Sequence, residues 1–134
     1  IESIDCRGHV VLKDDDDNAH AQLLVVCSWH AIKQSCHVLA ALARLGSLAL
    51  DIVRSIGDTL IDVLYTCKHQ GVLLNTFLSL KEIAASVPVD LLQQWLDRLI
   101  ADVQAGDSGQ WIRRSAGVPF CFRALLHAVR GHTQ

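Results

Sequence analysis

Apolar residues recur along most of this chain at steps of three and four positions, the spacing that places side chains on one face of an α-helix. The first such segment runs from about residue 19 to residue 45 and carries the stripe Val25, Trp29, Ile32, Cys36, Leu39 and Ala43. A separate polar stripe holds His30, Lys33, His37 and Arg44. We predict a helix with Asn18 as its N-cap and Gly46 as the residue that ends it.

Three further helices are predicted between residues 47 and 106. The second helix spans residues 47–69, and Gly57 in its interior predicts a division into two shorter helices, with Asp58 at the start of the second part. Gly71 predicts a turn before a third helix at residues 72–87, with Asn75, Ser79, Glu82 and Ser86 facing outward. Pro88 ends it, and Asp90 caps a fourth helix with the buried stripe Leu92, Trp95, Leu96, Leu99 and Val103.

The last predicted helix, residues 108–130, contains a proline. Its face repeats through Trp111, Ser115, Val118, Phe122, Leu125 and Val129. Pro119 has no N–H to donate to the carbonyl of Ser115, and its ring crowds that carbonyl, at a cost of about 3 kcal/mol. Ala116 and Gly117 add little bulk on the same turn. The sequence therefore predicts a bent helix with a free acceptor at Ser115.

Amphipathic helices joined by short turns, without a convincingly alternating strand, indicate an all-α fold of antiparallel helical hairpins. Helix pairs of this length are typical of an α-solenoid of the HEAT or armadillo kind, and a fragment of one exposes apolar surface at its ends. Residues 1–18 are predicted to be an acidic loop or linker, because consecutive carboxylates from Asp14 to Asp17 repel one another. Residues 19–130 form the predicted helical-repeat segment, and residues 131–134 a tail.

Composition narrows the classes of function. The formal net charge is −2 over 134 residues, so any contact with RNA must be local. Arg44, Asp51 and Arg54 interrupt the most apolar region, which argues against a membrane span. The five cysteines include no CxxC pair, so we expect reduced thiols and no metal site. The chain also lacks a glycine-rich turn that would hold a nucleotide or S-adenosylmethionine, so we expect no cofactor, and the lack of a Gly-x-Ser-x-Gly elbow disfavours an enzyme.

The most unusual stretch is residues 113–120. Arg113 and Arg114 fall in the first turns of the predicted helix, where the helix dipole disfavours a cation by about 0.3–1 kcal/mol. Residues placed against local preference are candidates for binding, and a guanidinium group grips a phosphate or carboxylate with two parallel hydrogen bonds. The alternative is that both arginines pair with nearby acids such as Asp102 or Asp107.

Arg-Arg-Ser-Ala-Gly-Val-Pro-Phe, residues 113–120, resembles the signature of the THADA family, which reads Arg-Arg-Ser-Ala-Gly, then Leu or Ile, then Pro. Two weaker resemblances precede it in the family's order: residues 27–34, with Trp29 and Lys33, and Ile-Gly-Asp at 56–58 followed by Lys-His-Gln-Gly at 68–71. The chain departs from the pattern at His30, Gln34, Gln70 and Leu74, where the family usually has arginine, glutamate, arginine and an acid. The resemblance covers about residues 23–126.

The resemblance implies a non-catalytic, cytoplasmic helical-repeat adaptor that works with an FtsJ-type tRNA 2′-O-methyltransferase. That partner would carry S-adenosylmethionine and methylate nucleotide 32 of the tRNA anticodon loop. The residues expected to contact tRNA or the partner are Arg113, Arg114, Ser115, Ala116, Gly117, Pro119, Lys33 and His69. The alternative is a generic protein–protein interaction scaffold of the armadillo or HEAT type with no direct RNA role.

Overall fold

The computed structural model describes residues 3–4, 10–11, 15–105 and 115–133. Over these residues the chain forms one short strand pair and five α-helices. The elements are β1 Ser3–Ile4, β2 Val10–Val11, α1 Asp15–Arg44, α2 Leu50–Thr66, α3 Gln70–Ala84, α4 Val89–Gln104 and α5 Val118–His132. The strands are antiparallel, with Ser3 opposite Val11 and Ile4 opposite Val10, and the sequence did not predict them. The all-α fold class is confirmed.

Side-chain pairs show how α1 and α3 are arranged. Nε2 of His37 lies 2.6 Å from Oδ1 of Asn75, and further along both helices Arg44 donates to Glu82 at 3.2 Å. The two helices are therefore parallel, and α2, which joins them through short connections, runs in the opposite direction. This is the up-and-down arrangement of a helical hairpin stack.

Helix α3 is the centre of the packing, because it contacts α1, α2 and α5. The largest fully buried side chains are almost all aliphatic: Leu60, Ile61, Leu64, Leu80, Ile83, Leu91, Leu92, Leu99, Leu125 and Val72. Burying each such side chain stabilises the fold by about 1.5–3 kcal/mol relative to leaving it exposed. The prediction that Ser79 faces outward is wrong: it is 2% exposed, because helices cover α3 on several sides.

Helix α2 runs without a break through Gly57, so the predicted division into two helices is wrong. Gly57 is buried, and a Cβ atom built on it would overlap the ring of Trp95 on α4. Asp58 does not cap a helix but accepts hydrogen bonds from Trp95 Nε1 at 3.1 Å and from Arg98 at 3.0 Å. The glycine is required by the close approach of α4 and not by a helix end.

Several predicted helix ends need correction. Helix α1 begins at Asp15, inside the segment predicted as an acidic loop, because carboxylates are favourable in the first turn of a helix. Asn18 therefore lies within the helix, where its side chain accepts from Gln22 at 3.0 Å. Gly71 belongs to the first turn of α3, and Pro88, not Asp90, occupies the N-cap position of α4. Gly46 follows α1 with φ of 68°, as the C-terminal signal predicted.

Candidate partner-binding end of the bundle

The proline of the octapeptide starts a helix and does not bend one. Helix α5 begins at Val118, Pro119 is its second residue, and residues 115–117 are not helical. In the first turn a proline loses no intrahelical hydrogen bond, because that N–H would have no partner there. The predicted bent helix and the free Ser115 carbonyl are both wrong, since this carbonyl accepts from the Val118 N–H at 3.4 Å. Arg113 and Arg114 lie outside the described residues.

Ser115 attaches the start of α5 to the end of α2. Its hydroxyl donates toward the carbonyl of Tyr65 at 2.8 Å, with the carbonyl of Leu64 at 3.2 Å, and accepts from the Gly117 N–H at 3.3 Å. The last carbonyls of a helix have no partner inside the helix, so a hydroxyl placed there satisfies one of them. We call this contact of residues 115–117 with Leu64 and Tyr65 the α2 clasp.

Gly117 makes the clasp possible. It is buried, and a Cβ atom at this position would overlap the carbonyl group of Leu64. A residue with any side chain would therefore push the segment away from α2. Ala116 and Pro119 are exposed. Of these four predicted site residues, Ser115 and Gly117 are thus structural contacts, whereas Ala116 and Pro119 reach the surface.

Lys33 and His69 are the other two predicted site residues that the structure describes, and both lie at the start of α3. The rings of Trp29 and His69 stack, with centroids 3.8 Å apart and planes 20° apart. His69 is also the N-cap of α3, and its Nδ1 accepts from the Val72 N–H at 3.3 Å. The Lys33 ammonium lies beside the first turn of α3, where a Cβ on Gly71 would come within 3.2 Å of Nζ. Two segments distant in sequence are therefore in contact.

Both groups of residues lie at the same end of the molecule. Tyr65 in the clasp and His69 in the ring stack are four residues apart, so their Cα atoms are separated by at most about 14 Å. The C-terminus of α2 and the N-terminus of α3 form this end, together with the start of α5. We call it the motif end and define it by Trp29, Lys33, His69 and the α2 clasp.

The motif end and the α2–α4 contact differ in charge. Among the side chains described for residues 18–105 and 115–133, no carboxylate lies at ion-pair distance from Lys33, and Lys68, which precedes His69, is exposed. Between α2 and α4, in contrast, Arg98 pairs with Asp58 at 3.0 Å and Asp62 at 2.8 Å, and within α4 it pairs with Asp102 at 3.6 Å. Asp102, one of the acids considered as a partner for the paired arginines, already binds Arg98 and Tyr65.

The titratable groups beneath the clasp are held neutral. Burial raises the pKa of Tyr65, and so does the nearby charge of Asp102. The Tyr65 hydroxyl donates a hydrogen bond to Oδ2 of Asp102 at 3.1 Å. Burial also raises the pKa of the Cys121 thiol to about 12. A thiol in this state is a poor nucleophile at neutral pH.

Among the residues with described positions, no three His, Cys, Asp or Glu side chains come together as metal ligands.

Sequence reasoning missed the contact between α2 and α4. Trp95 lies over Gly57, and Arg98 pairs with two aspartates of α2, Asp58 and Asp62. The signal for it was the Ile-Gly-Asp segment, in which the glycine and the aspartate contact the same tryptophan.

No helix in the described part of the chain combines the length and hydropathy needed to cross a bilayer.

Comparison with known proteins decides the family. The chain matches the family described as THADA/TRM732, DUF2428 over residues 3–134. This chain belongs to the THADA family. No solved structure matches it.

THADA relatives from human, dog and mouse carry the name tRNA (32-2′-O)-methyltransferase regulator THADA. The human protein is 30% identical over 127 residues, which is 79% of this chain and 6% of the relative. The dog protein is 31% identical over the same length, and the mouse protein is 27% identical over 148 residues, covering 94% of this chain and 8% of the relative. The chain therefore spans less than a tenth of the length of these THADA proteins, which are named as regulators of a methyltransferase.

Proposed function

We propose that this chain is part of a non-catalytic adaptor that supports 2′-O-methylation of tRNA by a separate enzyme. The observation that carries the proposal is the motif end. Three of the segments that resemble the THADA pattern, at residues 27–34, 68–71 and 113–120, are far apart in sequence, yet Trp29 stacks on His69 and Ser115 binds Tyr65 at one end of the bundle. The fourth such segment, at residues 56–58, lies in the middle of α2. A shared surface is what a binding site requires, and the rest of the body is an aliphatic core.

The proposed partner is an FtsJ-type methyltransferase in the cytoplasm. It would hold S-adenosylmethionine and methylate nucleotide 32 of the tRNA anticodon loop. Membership of the THADA family supports this, because relatives bear the name of a regulator of a tRNA (32-2′-O)-methyltransferase. The helical hairpins support a role as a segment of a HEAT-like or armadillo-type array, since such arrays present extended binding surfaces.

The residues of the motif end take different parts in this proposal. Arg113 and Arg114 contact a tRNA phosphate or an acidic patch on the enzyme, because guanidinium groups bind both with paired hydrogen bonds. Ser115 and Gly117 hold the base of the segment on α2 through the clasp. Lys33 and His69 add a cation and a ring, and the exposed Ala116 and Pro119 border the contact.

The test is a charge reversal in the full-length protein. We expect Arg113→Glu/Arg114→Glu to lower methylation of nucleotide 32 at least about tenfold in a complementation assay, since loss of a charged hydrogen bond at an interface costs about 1.5–3 kcal/mol. The matched control is Arg130→Glu, an exposed arginine in the last turn of α5, which we expect to leave methylation unchanged. Undiminished methylation by a folded double variant would remove the arginines from the mechanism.

A second candidate function is a generic protein–protein scaffold, which the exposed aliphatic residues of α1 favour. Binding of tRNA to the complex at two salt concentrations separates the candidates. Fewer phosphate contacts in the double variant would reduce the salt dependence of binding. Loss of the enzyme from the complex with unchanged RNA binding would assign the arginines to the protein partner. If neither changes, the scaffold function without an RNA role is favoured.

A further inference from the structure

The acidic side chains of the described helices are unevenly distributed. Helices α2 and α4 together carry six aspartates and two arginines, a formal charge of −4. Helix α5 carries no carboxylate, and the one carboxylate of α3, Glu82, pairs with Arg44 of α1 at 3.2 Å. No acid on α3 or α5 therefore competes with an external anion for the cations of these two helices. A polyanion is attracted to the α3–α5 side of the bundle and repelled by α2 and α4.

Arg123 is the cation of α5 that the fold holds in position. Its Cζ atom lies over the ring of Phe77 on α3, 5.7 Å from the ring centroid. Phe77 is buried, and Phe120 packs against it with ring centroids 5.5 Å apart. Arg123 itself is exposed, and among the side chains that the structure describes no carboxylate lies at ion-pair distance from it. A cation held over a ring has fewer conformations to lose when it binds a ligand.

Arg123 also continues the surface of the motif end along α5. It follows the exposed Pro119 by four residues, so the two side chains lie on one face of the helix. At 1.5 Å per residue, Arg123 is about 6 Å farther along the helix than Pro119. The clasp fixes the start of α5 on the end of α2, and the contact of Phe120 with Phe77 fixes its first turn on α3. The fold therefore sets the position of the Arg123 guanidinium relative to the motif end.

We propose that Arg123 binds a phosphate of the tRNA backbone, and that the RNA extends from the motif end along the first two turns of α5. This inference rests on the proposed function, since it takes tRNA as the ligand. A guanidinium group binds a phosphate with two parallel hydrogen bonds. An RNA strand carries a charge at every nucleotide, so it can contact cations at successive positions along a helix. The continuity of Arg123 with the motif end therefore favours RNA over an acidic protein surface.

The first test measures binding of tRNA to the full-length protein, in complex with the methyltransferase, over a range of salt concentrations. We expect Arg123→Ala to weaken tRNA binding about three- to tenfold, because one charged contact is lost. The slope of log affinity against log salt concentration should fall by about 1, as for the loss of one phosphate contact. Unchanged binding by a folded Arg123→Ala variant would overturn the inference.

The matched control is Arg130→Ala. Arg130 is exposed on the same helix about 10 Å farther from the motif end, and no aromatic ring of the described residues lies beneath it. We expect this variant to keep both the affinity and the salt slope of the unaltered protein. Equal changes in the two variants would show that only the overall charge of α5 matters, which would also overturn the inference.

The second test is Arg123→Lys, which keeps the charge but loses the planar guanidinium group. We expect the salt slope to stay at the value of the unaltered protein, because the phosphate contact remains. Affinity should fall about two- to threefold, because an ammonium group cannot form the paired hydrogen bonds. A salt slope that falls in the lysine variant as far as in Arg123→Ala would show that the lost contact is not with a phosphate.

The inference and the proposed function fail in different ways. If the full-length protein without substitutions does not raise methylation of tRNA by the enzyme, the proposed function is wrong and this inference falls with it. If it does, but Arg123→Ala releases the enzyme from the complex while tRNA binding is unchanged, Arg123 contacts the protein partner. In that case this inference alone is overturned, and the adaptor function stands.

Discussion

Helix α2 is approached closely at two places, and in each a glycine makes the approach possible. In the middle of the helix, Gly57 itself lies beneath the ring of Trp95 from α4. In the last turn, the carbonyl of Leu64 meets Gly117 from the start of α5. The neighbour is a side chain in the first contact and helical backbone in the second. Because an indole ring can shift and a carbonyl in a helix cannot, the clasp tolerates less change than the core contact.

The two contacts also fix different elements: the Gly57 contact positions α4, and the clasp positions residues 115–117. The Gly57 contact sets α4 against α2, and the hydrogen bond from Trp95 to Asp58 fixes the position of the ring. The clasp fixes the non-helical residues 115–117, from which the chain leads back to the paired arginines in sequence. One glycine therefore serves the body of the bundle, and the other serves the segment that resembles the family signature.

The largest effect is expected for Gly117→Ala. Its Cβ would overlap backbone that belongs to α2, so residues 115–117 must move and the clasp must open. We expect a loss of about 3 kcal/mol or more in the free energy of unfolding, the upper range for overpacking. Urea denaturation measures it, with methylation assayed in parallel. A loss below about 1 kcal/mol would mean that α5 can shift away from α2 at little cost.

Gly57→Ala should have the next largest effect. Its Cβ would overlap the Trp95 ring, and the ring can move only by losing packing and its hydrogen bond to Asp58. We expect a loss of about 2 kcal/mol. The control is Gly131→Ala in α5, where no atom lies within 4 Å of an added Cβ, and which should stabilise the helix by about 0.5–1 kcal/mol. Equal losses at Gly57 and Gly117 would contradict the difference between ring and backbone.

Ser115→Ala tests the polar half of the clasp. The alanine leaves the Tyr65 carbonyl and the Gly117 N–H without their hydroxyl partner. We expect a loss of about 1–2 kcal/mol, as when one partner of a partly buried hydrogen bond is removed. Ser115→Thr keeps the hydroxyl and should recover most of this stability. If threonine is no better than alanine, the hydrogen bonds contribute little to the clasp.

The sequence predicted the body of this fold better than its candidate site. Helical spacing gave the stripe of Leu92, Trp95 and Leu96, all of which are buried. The same spacing across Ser115 and Val118 predicted one continuous helix, because periodicity does not register a proline that starts a helix. The local pattern assigns Gly57 to a helix break and Gly117 to reduced bulk on a helical turn. Their actual role depends on Trp95 and Leu64, distant in sequence, which a local pattern cannot reveal.

The smallest expected effect is a decline in stability at alkaline pH. Cys121 lies one turn after Gly117, and burial raises the pKa of its thiol from 9.0 to about 12. Well below pH 9 the thiol is protonated in both the folded and the unfolded chain, so its contribution to stability is constant. Between pH 9 and about 12 only the unfolded chain loses the proton, which favours unfolding. We expect a loss of about 1 kcal/mol by pH 10, measured by urea denaturation across this range.

A second buried thiol allows the two regions to be separated. Burial also raises the pKa of Cys36, in the contact between α1 and α3. Cys121→Ala should lower stability at every pH because it leaves a cavity, but it should also flatten the alkaline decline. The same measurement on Cys36→Ala gives the part of the alkaline decline in stability that comes from the contact between α1 and α3. If the decline is unchanged in Cys121→Ala, water reaches this thiol, and the helix start beneath the clasp is not packed as tightly as the core beside Gly57.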